Sequence, residues 1–128
     1  MSSTFRTPQN ILQSQKHAFE GIVSIIKNER NFRIQIVVAI LVVLISFLLN
    51  ISHQDWIAVG FLITLVLISE AFNSVIEAVC DTVSKEYRVN IKYAKDVSAG
   101  AVLVSAILSF VLGLIIFVPY IVDIFLKM

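Results

Sequence analysis

From Trp56 to Asp81 the chain reads WIAVGFLITLVLISEAFNSVIEAVCD, an apolar run with two acids, Glu70 and Glu77, set into its second half. A carboxylate buried in hydrocarbon costs several kcal/mol, so an acid inside a membrane span marks a functional site by default. On a helix, Glu70, Asn73, Glu77 and Asp81 fall at i, i+3, i+7 and i+11, one continuous face. The polar groups converge. At about 1.5 Å per residue, Glu70 lies roughly 21 Å along from Trp56 and Glu77 roughly 31 Å. Glu70 is therefore expected inside the far leaflet and Glu77 near its surface.

Two further spans flank this one. Ile34 to Gln54 carries no charge, and neither does Val97 to Val122, in which Pro119 comes near the end. Asn50 to Asp55 is a polar connection, and Trp56 after it reads as an interfacial anchor. Ahead of the first span, Thr7 and Pro8 read as an N-cap and first helical position. Ile11, Leu12, Phe19, Ile22, Val23 and Ile26 then recur at helical spacing, opposite Gln13, Lys16, His17, Glu20 and Lys27. That pattern predicts an amphipathic helix on the membrane surface, compatible with its packing as a fourth helix of the bundle.

The predicted fold is an all-α membrane protein forming a single domain over residues 1–128. Its elements are an interfacial helix over about 8–28 and transmembrane helices over about 34–50, 56–84 and 95–121. Ala101, Ser105, Ser109 and Gly113 recur every four residues, a small-residue face that lets helices approach closely in lipid. Three spans alone bury too few polar groups to enclose a site, which points to a homotrimeric bundle.

Composition agrees with the membrane class: of 128 residues, 58% are hydrophobic and 15% charged, whereas soluble domains carry about 25% charged residues. No basic run or aromatic–basic interleaving accompanies the net charge of +1, so no nucleic-acid partner is expected. The single Cys80 forms no internal disulfide and leaves the redox compartment unread. Met1 to Gln15 is polar, without the apolar core of a signal peptide, so the first span is expected to act as the insertion signal. Arg6, Lys16, Lys27, Arg30 and Arg33 precede span one, and Lys85, Arg88, Lys92 and Lys95 lie between spans two and three. The Asn50–Asp55 turn has no Lys or Arg, and the C-terminus has Lys127. The positive-inside rule then places the N-terminus inside, and the acidic face of span two opens to the cytoplasm, where ATP and Mg²⁺ are found.

Residue types alone leave several chemistries open. Carboxylates with an Asn can hold Mg²⁺ through oxygen ligands, an acid in a low-dielectric setting can act as a general base, and acids in a span can carry protons for a transporter. A non-enzymatic assembly subunit would account for the small-residue face alone. The glycines are scattered and no GxxxxGK[ST] loop is present, so no ordinary kinase motif is found.

A longer pattern is more specific. Glu70-x-x-Asn73-Ser74-x-Ile76-Glu77-x-x-x-Asp81, followed by Ala94-Lys95-Asp96-x-x-Ala99-Gly100-Ala101-Val102-Leu103, resembles the signature of the prokaryotic diacylglycerol kinases. These are small trimeric membrane enzymes unrelated to other kinases, which use MgATP to phosphorylate the hydroxyl of diacylglycerol or undecaprenol. The resemblance implies that Glu70 is the general base, with Asn73 its hydrogen-bonding neighbour. It implies that Glu77 and Glu29 are the Mg²⁺ ligands, and that His17, Glu29, Glu77, Glu86, Tyr87, Arg88, Lys95 and Asp96 bind ATP. Asp81 and Glu86 also read as solvated or helix-end charges, and Arg30 and Arg33 as interfacial anchors. A histidine on a surface helix, His17 included, ordinarily faces water.

Two branches of the family differ in detail. His17-Ala18-x-x-Gly21-Ile22, Glu29-Arg30-Asn31-Phe32, Asp55-Trp56 and the run Gly113 to Pro119 resemble the Gram-positive undecaprenol kinases. Ser84-x-Glu86-Tyr87 is nearer the Gram-negative diacylglycerol kinases, whereas Asn10 departs from the Arg they tend to carry there. The expected activity is phosphorylation of undecaprenol, in the bacterial cytoplasmic membrane, with diacylglycerol as the alternative acceptor.

Overall fold

A computed structural model describes residues 10–83 and 88–128. Among them the chain forms four helices and no strand: α1 (Ile11–Asn28), α2 (Arg30–Leu48), α3 (His53–Val83) and α4 (Val89–Lys127). Thr7, Pro8, Glu86 and Tyr87 lie outside the described residues. The last three helices are long and apolar enough to cross a membrane. At about 1.5 Å per residue, α3 and α4 exceed the roughly 30 Å of a hydrocarbon core, so both project beyond it.

α3 packs mainly along α4, α2 lies against α3, and α1 touches α2. No residue of α1 is buried, and Ile11, Leu12, Phe19 and Ile22 stay exposed on the single chain. Its apolar face is therefore free to meet the membrane surface. Serines make the α3–α4 seam: Ser69 Oγ and Ser105 Oγ lie 2.8 Å apart, and Ser109 Oγ donates to the Leu62 carbonyl at 3.5 Å. The small-residue face expected to seek another chain is thus divided. Ser105 is buried against α3 of its own chain, while Ala101 is exposed.

Local contacts close the helix ends at both corners of α2. One residue, Glu29, separates α1 from α2, in extended conformation (φ −103°, ψ 109°). Arg33 Nη1 donates to the carbonyls of Ile26 (3.0 Å) and Lys27 (2.7 Å), closing the C-terminus of α1. This residue, expected as an anchor, holds the corner. At the other end of α2, Asn50 takes a positive φ of 49°, which a short polar side chain tolerates. Ile51 N–H then reaches Ser46 O and Asn50 N–H reaches Phe47 O, the Schellman pattern, with Ile51 buried beneath it.

Ser52 caps the start of α3: its Oγ accepts from Asp55 N–H at 3.2 Å and donates to Asp55 Oδ2 at 2.8 Å. Tyr120, from α4, fastens this turn by donating to Asp55 Oδ2 and accepting from Ser52 N–H at 2.9 Å. It follows Pro119, which removes one N–H from the α4 ladder without ending the helix. Phe47 and Trp56 pack across the same turn with ring centroids 4.7 Å apart.

Removing the phenol oxygen leaves Ser52 N–H and Asp55 each short of one partner. Tyr120→Phe is expected to lower stability by about 1–2 kcal/mol, read as an earlier unfolding midpoint in detergent. An unchanged midpoint would show that the turn stands without α4.

Candidate active site

Glu70 is 3% exposed, buried at the junction of α2 and α3. Its carboxylate is met by an amide from α2: Gln35 Nε2 donates to Glu70 Oε2 at 3.1 Å. One turn further along α3, Asn73 is 8% exposed, and Ser98 of α4 donates its Oγ to Asn73 Oδ1 at 2.7 Å. Ser98 also donates to the Lys95 carbonyl at 3.0 Å, which fixes its hydroxyl at the seam. With Oδ1 accepting from Ser98, the Asn73 amide nitrogen is the donor end of the group.

Glu29 and Glu77 each lie close enough to Glu70 for their charge to act on its carboxylate. Glu29 stands half-buried at the α1–α2 corner, and Glu77 is exposed two turns beyond Glu70. Neither makes an ion pair among the described residues. Lys95 is within electrostatic reach of Glu77, but its Nζ is bound to Asp81 Oδ1 at 2.6 Å. This pair bridges α3 and α4, with side chains 38% and 62% exposed, so it contributes little and rearranges readily. Asp96 pairs with Lys92 one turn away on α4, and Arg88 stands at the α4 N-cap.

The sequence-derived residues are thus partly gathered. Glu29, Glu70, Glu77 and Lys95 share one region, with Asn73 beside Glu70. His17 is exposed and pairs with Glu20 on its own helix at 3.4 Å. Among the described residues no hydrogen bond or ion pair brings it to the carboxylates, and Glu86 and Tyr87 fall outside that set.

Below Glu70 an apolar cavity of about 440 Å³ runs between α2, α3 and α4, lined by residues such as Val38, Val42, Leu62, Val66 and Phe110. Gln35 belongs to its wall, so one side chain touches both the cavity and the acid. Two buried polar atoms of the described residues have no partner: Gln35 Oε1, and Ser74 Oγ one turn beyond Glu70. A buried acid, a pair of unneutralised carboxylates beside it and an apolar chamber beneath it suit a reaction between a charged solute and a lipid.

The description prokaryotic diacylglycerol kinase belongs to a family profile that matches residues 16–117. The chain belongs to that family. An undecaprenol kinase of Bacillus subtilis is 36% identical over 103 residues, 80% of this chain and 84% of its own. A diacylglycerol kinase of Synechocystis is 35% identical over 121 residues, 91% and 67% of the two chains. One from Escherichia coli K12 is 31% identical over 99 residues, 77% and 81%. As a member of the prokaryotic diacylglycerol kinase family, the protein is a multi-pass membrane lipid kinase that uses ATP. Family membership sets aside the proton-coupled transporter and the non-enzymatic subunit.

Sequence reasoning passed over Gln35 and Ser98 in this family member. Signals for both were present: Gln35 is a lone amide in an apolar span, and Ser98 lies seven residues before Ser105 on the same face of α4. Ser98→Ala removes the donor that orients Asn73. Turnover is expected to fall about tenfold, the worth of one hydrogen bond, while Ser98→Thr keeps it. Equal turnover of the Ala variant and the parent would detach Asn73 orientation from the reaction.

Proposed function

We propose that the protein transfers the γ-phosphoryl group of MgATP to the hydroxyl of undecaprenol. The observation that carries this reading is the depth ordering around Glu70. The buried acid stands between an apolar chamber and two carboxylates at the polar end of α3. Glu70 takes the alcohol proton as the alcohol oxygen attacks the γ-phosphorus. The bond from that phosphorus to the β,γ-bridging oxygen breaks, ADP leaves, and the proton stays on the carboxyl group until water removes it. Asn73, held by Ser98, offers its amide nitrogen to Glu70 or to the phosphoryl oxygens.

Glu29 and Glu77 fit a divalent cation by the chemistry of their donors. They are oxygen ligands without a cationic partner among the described residues, close enough to Glu70 to repel it. No three His, Cys, Asp or Glu side chains of the described residues converge to enclose a metal alone. Mg²⁺ suits such a pair, since it takes one or two carboxylates and completes its shell with phosphates and waters. When bound it would offset triphosphate charge. In the same proposal Arg88 and Lys95 add to that, with Lys95 released from Asp81, and Asp96, His17, Glu86 and Tyr87 belong to the nucleotide contacts.

Undecaprenol is preferred over diacylglycerol because of what the chamber lacks. Of the side chains lining it, Gln35 and Ser109 are the polar ones; Ser109 already donates to the Leu62 carbonyl and Gln35 spends one of its two N–H groups on Glu70, which leaves a single donor. A glycerolipid with two esters would bury carbonyls there with at most one donor between them, an unfavourable exchange. A polyprenol brings hydrocarbon and one hydroxyl. The Bacillus subtilis relative named undecaprenol kinase supports the same choice. The setting we propose is the bacterial cytoplasmic membrane, with the N-terminus and the Glu77 end cytoplasmic, and the assembly a homotrimer. Cross-linking in detergent is expected to capture trimers; full activity from monomers would oppose that assembly.

Purified protein offered both lipids at equal mole fraction with labelled ATP is expected to phosphorylate undecaprenol at least about tenfold faster, the discrimination one unpaired polar group gives. Equal rates, or faster diacylglycerol phosphorylation, would reverse the assignment.

Glu70→Gln is expected to cut turnover by about a hundredfold to ten-thousandfold, with KM for MgATP nearly unchanged. Glu70→Asp, which keeps the charge but withdraws the carboxylate by one methylene, should also suffer badly. Near-parent turnover in both would end the general-base role.

Glu77→Gln and Glu29→Gln are each expected to fold and to show a raised Mg²⁺ requirement. A variant with normal turnover at low Mg²⁺ would remove that residue from the metal.

A further inference from the structure

Among the described residues that line the apolar chamber, Gln35 is the one that hydrogen-bonds to the buried acid. Its amide has a fixed sense. With Glu70 ionised, an amide oxygen turned toward the carboxylate would set acceptor against acceptor, so the nitrogen faces Glu70 and the oxygen faces away. That oxygen is buried and has no partner among the described residues. Buried carbonyl oxygens are seldom left so, and one on the wall of a chamber can be matched by a ligand that brings an O–H.

We propose that Gln35 Oε1 receives the hydroxyl of the acceptor alcohol, while Gln35 Nε2 holds Glu70 for the proton transfer that follows. This rests on the lipid-kinase reading above and adds the residue that recognises the alcohol. The hydroxyl enters donating to the amide oxygen, a weak base that cannot take its proton. Rotation about the C–O bond then swings the same O–H to Glu70, and the proton passes there as the oxygen–phosphorus bond forms. The two acceptors divide the work, Gln35 for docking and Glu70 for chemistry. Glu70 is thereby spared the task of binding the alcohol on its own.

The test separates docking from turnover. Binding of undecaprenol and of its deoxy analogue, with the hydroxyl replaced by hydrogen, is measured in lipid bicelles without ATP. The parent protein is expected to prefer the alcohol by about tenfold, the worth of one hydrogen bond. Gln35→Met, unbranched and of similar length, should lose most of that preference, and Gln35→Leu, made in parallel, should do the same. Glu70→Gln should keep it. A preference retained in both Gln35 variants, or lost in Glu70→Gln and kept in Gln35→Met, overturns the proposal. Phosphate transfer to undecaprenol by the parent protein is assayed beside these. Its absence would remove the lipid-kinase reading and this inference together, whereas activity with an unchanged Gln35→Met preference removes the inference alone.

Discussion

A carboxylate inside a membrane span must find a polar partner within the protein, because lipid offers none. Glu70 meets this demand through Gln35, and that requirement brings α2 against α3 at a particular rotation. On the next turn the same logic joins α3 to α4, where Asn73 takes its hydrogen bond from Ser98. The serine seam continues the contact toward the opposite end through Ser69, Ser105 and Ser109. Apolar packing adds little direction among helices whose surroundings are as apolar as themselves. Polar contacts decide which faces meet.

The proposed reacting groups are arranged by depth for a similar reason. Glu70 and Glu77 are seven residues apart on one helix, about 10 Å along its axis. That separation crosses the boundary between a buried acid and an exposed one. A lipid hydroxyl and a nucleotide triphosphate prefer different solvents, and a single straight helix spans both. Phosphoryl transfer needs placement and charge compensation more than covalent chemistry, so a small chain with few polar residues suffices.

Much of this was legible in the sequence. The three apolar runs, the amphipathic helix before them and the acidic face of α3 follow from periodicity and composition. Glu70 and Asn73 could be named because a polar residue in a span is conspicuous. The cross-helix partners were harder to read. Gln35 and Ser98 are ordinary residues whose importance depends on how two helices are rotated, which no single-helix pattern contains. The Ser52 cap of α3 was readable from spacing, but its fastening by Tyr120 joins residues far apart in the chain. The small residues of α4 were visible too; that Ser105 would face α3 of the same chain was not.

The chamber beside Gln35 is walled in part by side chains that are themselves exposed, Val38 and Phe110 among them. On the single chain it therefore opens sideways, toward whatever surrounds the apolar helices; in the proposed lipid kinase that mouth would meet the bilayer. Lifting a hydrocarbon tail into water costs about 0.8 kcal/mol for each methylene, an amount that a long lipid would make prohibitive. A lateral mouth avoids that transfer, because the tail exchanges one oily surrounding for another. The acceptor then searches in two dimensions, and its supply is set by its mole fraction in the leaflet rather than by its solubility.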